Sequence, residues 1–386
     1  MHKEHKRIFF QVALFITTFI TTTLAGSQWA YGRSVFAPDY NWQDFNRGLE
    51  FSIPLLLILT VHEFGHYFVA MFHKVKVSLP YYIPIPPIPF LPFNIGTMGA
   101  VIRLRSKPES NVQNFDIGVA GPLAGFIVAL IILFYGFKTL PPPEHIFQFH
   151  PEYEQYGVDY ANIVYSPEYL KEHGPIIDVK IGTNLIFWIF QKTVADPARV
   201  PNPHEIMHYP ILLACYIALF VTCLNLLPIG QLDGGHVVYG LFGFKIHRII
   251  ALGFFMALIF YAGLGLQYID PALPENSLFI GIAGYLLFLF WAFKGLQLPL
   301  KDTVMYVALM FGVQFSMMVY MPGIKGYEGW LLFAFILGRF IGIEHPPSEI
   351  EKPLDTNRVI LGWLALIIFI LCFSPAPLQF EAIIGE

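Results

Sequence analysis

Phe51-Ser-Ile-Pro-Leu-Leu-Leu-Ile-Leu-Thr-Val-His62-Glu63-Phe64-Gly65-His66-Tyr-Phe-Val-Ala-Met-Phe72 is long and apolar enough to span a bilayer as a helix, yet two histidines and a glutamate sit inside it. An ionisable side chain near the bilayer centre costs at least about 2.5 kcal/mol on insertion scales, so this cluster needs compensation by a partner or a function. A metal ion supplies it. His62 and His66 are four positions apart, which puts both imidazoles on one helix face within reach of a single ion. Glu63 lies one step round, close to the ion's water without being a ligand, the place of the general base in H-E-x-x-H hydrolases.

The rest of the chain agrees with a membrane setting. Its 386 residues are 55% hydrophobic and only 13% charged, with mean hydropathy +0.57, which is too apolar for an ordinary soluble domain. Apolar runs recur at about 8–25, 49–72, 115–137, 206–227, 249–267, 277–293, 302–321, 328–343 and 358–374. They predict an all-α polytopic membrane protein of about nine transmembrane helices. The first run is read as a retained anchor rather than a cleaved signal peptide, because its apolar core exceeds a usual h-region. A stretch over 182–191 is too short to span.

Lys3, Lys6 and Arg7 on the inner side set the topology. Lys74, Lys76, Arg103, Arg105, Lys107, Lys245, Arg248, Lys294, Lys301, Lys352 and Arg358 then fall inside as well, which leaves 26–48, 138–205, 268–276 and 375–386 outside. Cys215, Cys223 and Cys372 all lie in predicted helices, so no disulfide framework is expected. The expected division is an anchor and outside loop over 1–48, a membrane core over 49–250 that includes the loop 138–205, and C-terminal helices over 251–386.

Tyr81 to Phe93 is apolar but cannot be helical, since Pro84, Pro86, Pro87, Pro89 and Pro92 remove donors and force extended backbone. Gly96-Thr97-Met98-Gly99 follows and leads into Ala100-Val-Ile-Arg103-Leu104-Arg105, whose alternation reads as a strand. The expectation is a short re-entrant β hairpin or loop near 94–106, lining protein or a wet cavity as non-helical backbone at membrane depth must. In the third run, Gly118, Gly121 and Gly125 with Ala120 and Ala124 read as a close helix-packing face. The segment 138–205 is expected to form a small cap with an amphipathic piece near 181–190, without the strand pattern of a PDZ domain.

A zinc hydrolase usually takes a third protein ligand and leaves the fourth position to water. Candidates are His73, His204, His208, His236, His345 and the few acidic residues beside the apolar runs. Asp233 stands out, in Asn225-Leu-Leu-Pro228-Ile-Gly230-Gln-Leu-Asp233-Gly-Gly-His236. Pro228 and Gly230 should break the helix there, so that unwound backbone can aim a carboxylate inward. The competing reading makes Asp233 an N-cap, with His236 as the reserve ligand.

Together the H-E-x-x-H helix, the G-x-x-G strand after a Pro-rich stretch, and a distal N-x-x-P-x-x-x-x-D-G-G resemble the site-2 protease family of intramembrane zinc metalloproteases. Asp116-Ile-Gly118-Val-Ala-Gly121-Pro-Leu-Ala-Gly125 and the N-L-L-P-x-G-x-L-D-G-G-H form are similar to the branch found in bacteria and chloroplasts. The resemblance covers about 50–245. It implies one zinc per chain held by His62, His66 and Asp233, Glu63 as catalytic base, and Asn225 as a substrate or transition-state contact.

The expected function is therefore hydrolysis of peptide bonds in or near transmembrane segments of other proteins, by zinc-activated water with Glu63 as base. A helical substrate must first unwind, and Gly96, Thr97, Met98 and Gly99 offer an edge to which an extended segment can pair. The alternatives are a zinc-binding membrane protein without proteolysis and a metal transporter, neither of which needs the glutamate. Expected partners are transmembrane protein substrates and the lipid bilayer, with no nucleic acid; the oligomeric state is left open. The expected location is a bacterial inner membrane with a cytoplasmic N-terminus and the site in the cytoplasmic half, as no transit-like leader precedes the first run.

Overall fold

The computed structural model describes residues 2–88, 94–173, 176–270, 273–321 and 323–383. All nine apolar runs are helical over most of their length. Among the described residues six helices are long and apolar enough to cross a membrane: His2–Tyr31 (α1), Trp42–Phe72 (α2), Asn111–Lys138 (α3), Asp233–Ala262 (α8), Glu275–Phe293 (α9) and Leu300–Tyr320 (α10). Three apolar helices are shorter: Pro210–Asn225 (α7), Gly329–Ile336 (α11), which continues as a π-turn to Ile341, and Thr356–Cys372 (α12). The remaining helices are Tyr160–Val164 (α4), Pro167–His173 (α5) and Leu185–Thr193 (α6). The last is the amphipathic piece anticipated near 181–190.

The chain forms two compact units, the first made of 1–107, 120–224 and 367–386 and the second of 108–119 and 225–366. In the first, α1 and α2 meet at small residues. A Cβ on Gly48 would lie 2.0 Å from the Thr23 carbonyl oxygen, so only glycine permits this approach. Thr23 Oγ1 and Ser52 Oγ bond across the same contact at 2.8 Å. Asn41 caps α2, its side chain accepting from the Gln43 N–H while Asp44 accepts from the Asn41 N–H, a capping arrangement that fixes where the long helix starts.

The hairpin is present. Tyr81–Pro84 (β1) pairs antiparallel with Thr97–Val101 (β2), in the register Tyr81 to Val101 and Tyr82 to Ala100, with an irregularity before Pro84 meets Thr97. A bridge between Val77 and Leu104 continues it. Pro89 and Pro92 of the Pro-rich stretch lie outside the described residues. A second antiparallel pair, Ile176–Ile181 (β3) with Leu378–Ile383 (β4), joins the 138–205 segment to the end of the chain. The sequence reading placed no strand in either segment.

In the second unit the buried Gln314 amide ties α10 to α8, donating to the carbonyls of Ile259 and Phe260 at 3.0 Å and accepting from the Tyr285 hydroxyl on α9. Asp116, at the start of α3, takes a two-pronged bond from Arg358 on α12, both contacts 2.7 Å. That geometry matches the planar guanidinium fork to the carboxylate. The Arg339 guanidinium lies over the Trp291 ring, 5.3 Å from its centre. The turn after α11 carries Glu344, which pairs with Arg248 at 2.7 Å.

Candidate metal centre

His62, Glu63 and His66 occupy the second half of α2 and are all buried, at 4%, 7% and 6% exposure. Their depth comes from helix spacing: the face that carries Leu55, Ile58, Leu59, His62 and His66 is the face turned inward. The two imidazole Nε2 atoms are 3.0 Å apart. Two nitrogens bound to one tetrahedral zinc at about 2.0–2.1 Å stand about 3.3–3.4 Å apart, so a small ring rotation fits both to a single ion. Glu63 Oε1 lies 4.0 Å from His62 Nε2. The carboxylate lies beside the pair.

The glycines of α3 do more than pack helices. A Cβ on Gly121 would fall 2.1 Å from His66 Nε2, and one on Gly125 would fall 3.0 Å from His62 Cβ. Gly65 in turn faces the Ala120 carbonyl, where a Cβ would come within 2.8 Å. The absent side chains are the space the two rings occupy. Sequence reasoning recognised the small-residue face and missed this role, because both uses demand the same residues at the same spacing.

The hairpin is fastened to the same helix and to α1. Tyr82 on β1 bonds through its hydroxyl to Thr60 Oγ1 at 2.8 Å, one turn before Glu63. Thr21 donates to the Gly96 carbonyl at 2.6 Å, and the Trp29 indole donates to the Asn94 carbonyl at 2.8 Å. Gly96 and Gly99 both take positive φ, +80° and +95°, which side-chain-bearing residues rarely adopt. Thr97 is buried and its hydroxyl receives the Gly99 N–H, whereas the Met98 side chain is 71% exposed.

Asp233 belongs to the second unit. The anticipated break is there: α7 ends at Asn225, Gly230 has φ +56°, and α8 begins at Asp233. The N-cap of α8 is Leu232 and no side chain caps it, so the N-cap reading of Asp233 is not what forms. The following glycines let the unwound segment fold back on the helix. Cβ atoms on Gly234 and Gly235 would lie 2.0 Å from the Leu226 oxygen and 2.2 Å from the Gly230 oxygen. One turn on, His236 Nδ1 meets His345 Nε2 at 2.8 Å, and the His345 ring stacks on Tyr239 at 4.2 Å. Gly118 makes room for His236, as a Cβ there would lie 2.7 Å from the His236 Cβ.

The other candidate ligands are engaged elsewhere. His73 is the C-cap of α2 and packs on Phe72. His204 stacks on Tyr165 at 4.3 Å. His208 pairs with His150.

The model of peptidase family M50 matches residues 50–266, more than half of the chain. The chain belongs to peptidase family M50. This is the site-2 protease family that its motifs resemble, and with its apolar helices it marks an integral membrane protein. The chain is similar to the probable zinc metalloprotease EGY1, chloroplastic, of Arabidopsis thaliana, 30% identical over 49% of this chain and 29% of that protein. It is 28% identical to the rice protein of the same name, over 49% of this chain and 27% of the relative. The probable zinc metalloprotease EGY2, chloroplastic, of Arabidopsis thaliana is 26% identical over 51% of this chain and 29% of its own length. The matched part thus spans less than a third of these relatives. No solved structure matches the chain.

Proposed function

We propose that this M50 peptidase is an intramembrane zinc metalloprotease that cuts transmembrane or membrane-proximal segments of other proteins. The observation that carries the reading is the pair of buried imidazoles 3.0 Å apart, with Glu63 beside them, inside a long apolar helix. His62, His66 and Asp233 would hold one zinc, a two-imidazole, one-carboxylate set that leaves a position for water. Zinc in such a site lowers the pKa of its water to about 7 and polarises a carbonyl. Glu63 takes the proton that the attacking water loses and returns it to the leaving amine, within the reach of one side chain.

An intact helix shields its carbonyls by its own hydrogen bonds, so the substrate must be drawn out before it can react. β2 belongs to a two-stranded sheet and has one outer edge. A substrate segment pairs there in extended form through main-chain bonds, with Asn225 as a polar contact to the substrate or to the developing charge.

All nine helices are read as spans, with the N-terminus cytoplasmic and the site in the cytoplasmic half of a bacterial inner membrane. The distribution of Lys and Arg supports that orientation.

The deciding experiment compares the purified chain with Glu63→Gln on a helical transmembrane peptide in detergent. Cleavage should fall by about 10²–10⁴-fold while bound zinc is unchanged. Cleavage that survives the substitution, or zinc carried across proteoliposomes without any cleavage, overturns the protease reading, and the second outcome identifies a transporter.

A further inference from the structure

A second set of metal-ligating side chains converges in the polar segment between α3 and α7, inside the first unit. His150 Nε2 and His208 Nε2 are 3.3 Å apart. Glu205 Oε2 lies 3.9 Å from the first and 3.8 Å from the second. Glu205 is 2% exposed, and its other oxygen accepts the Tyr165 hydroxyl at 2.7 Å.

The far sides of both rings fix which nitrogen faces the cluster. His208 Nδ1 is 2.9 Å from the Ala30 carbonyl at the end of α1. A carbonyl only accepts, so that nitrogen carries the hydrogen and Nε2 of the neutral ring presents a lone pair. His150 Nδ1 is 3.1 Å from the Glu152 carboxylate, so its outer nitrogen also faces an acceptor and Nε2 faces the cluster. Nε2 of both rings and the buried Glu205 carboxylate therefore converge on one place.

The spacing also fits an ion. Tetrahedral zinc at about 2.0–2.1 Å from each nitrogen holds the nitrogens about 3.3–3.4 Å apart, the separation found here. Glu205 closes the remaining gap of about half an ångström by side-chain torsion. A backbone carbonyl on one ring and a carboxylate on the other are the outer partners that orient metal-bound histidines. Phe149 stacks on His208 at 4.3 Å and Tyr153 on His150 at 4.5 Å, so both rings are held in place.

We propose that His150, Glu205 and His208 form a second metal site, taking a divalent transition metal, zinc foremost, in addition to the ion implied by His62 and His66. Its ligands come from the two ends of the segment that links α3 to α7, and the Ala30 bond ties one of them to α1. The ion is a clasp: it closes a long loop and transfers its binding energy to the folding of that segment.

The test measures metal bound to the purified full-length chain after zinc loading and removal of excess. The wild type should hold about two zinc ions, and His150→Gln and Glu205→Gln about one each. In a His62→Ala/His66→Ala background, where the motif site is removed, added Co²⁺ should still give the visible absorption of a tetrahedral centre. Adding His150→Gln to that background should abolish it. Zinc content unchanged by His150→Gln and Glu205→Gln, or no cobalt spectrum in the background variant, overturns the proposal. His150 is partly exposed, so its substitution separates loss of a ligand from loss of the fold, checked by unchanged helical circular dichroism. Neither arm depends on peptide cleavage, so this site and the protease reading fail independently.

Discussion

At the residue scale, the metal centre rests as much on what α3 lacks as on what α2 carries. A methyl group at Gly121 would sit 2.1 Å from His66 Nε2, and the ring must swing away to admit it. Gly121→Ala should therefore weaken zinc binding by at least about tenfold, because the displaced ring no longer aims its lone pair at the ion. Gly253→Ala, where nothing lies within 4 Å, should leave it unchanged. Equilibrium zinc titration against a competing chelator reads both, and equal affinities for the two variants would remove Gly121 from the site. The contrast shows what was legible in the sequence. H-E-x-x-H announces itself because charge in an apolar run is expensive, whereas a glycine costs little anywhere in a membrane helix and fits two explanations. The His236–His345 contact was not legible at all, since no local pattern links residues so far apart in the chain.

At the element scale, the apolar runs located the helices and understated several of them. α1 extends from His2 to Tyr31, well beyond the run over 8–25, because helical hydrogen bonding continues through polar residues that hydropathy discounts. The first half of α8 was hidden for a similar reason: Asp-Gly-Gly-His opens it, and a kink at Gly243 separates it from the apolar part. The break before it was readable from Pro228 and Gly230, whose backbone requirements are local. The β3–β4 pair was invisible because its partners lie far apart in the chain. The hairpin was anticipated, and its proposed role can be tested without disturbing the metal. Met98 is exposed on β2, so Met98→Val keeps the strand and its N–H, while Met98→Pro removes the donor and kinks the edge. Met98→Pro should lower cleavage of a helical substrate by at least about tenfold with zinc content intact, and Met98→Val should not. Equal cleavage by the two variants excludes substrate pairing at that strand.

At the scale of the whole molecule, the proposed topology turns on the short helices. Among the described residues six helices qualify by length and composition, and α7, at 16 residues, is the decisive short one. At 1.5 Å per residue it covers about 24 Å, less than the roughly 30 Å of hydrocarbon, so it spans only if the bilayer thins or flanking residues complete the path. The proposed topology has it cross, since the charge count puts Lys107 and Lys245 on one side and the 138–205 segment on the other. The chain's own chemistry makes this measurable: Cys215, Cys223 and Cys372 are all buried, leaving little background for a membrane-impermeant thiol reagent. Lys107, Lys171 and Lys245 are exposed positions for single-cysteine reporters. In sealed vesicles of one orientation, Lys171→Cys should label from one side, and Lys107→Cys and Lys245→Cys only from the other. Labelling of Lys171→Cys and Lys245→Cys from the same side would mean that α7 does not cross. The helix that ends at Asn225 would then leave the Asp233 segment on the outer face, away from the side where the charge count puts the end of α2, and Asp233 could not serve as the third ligand.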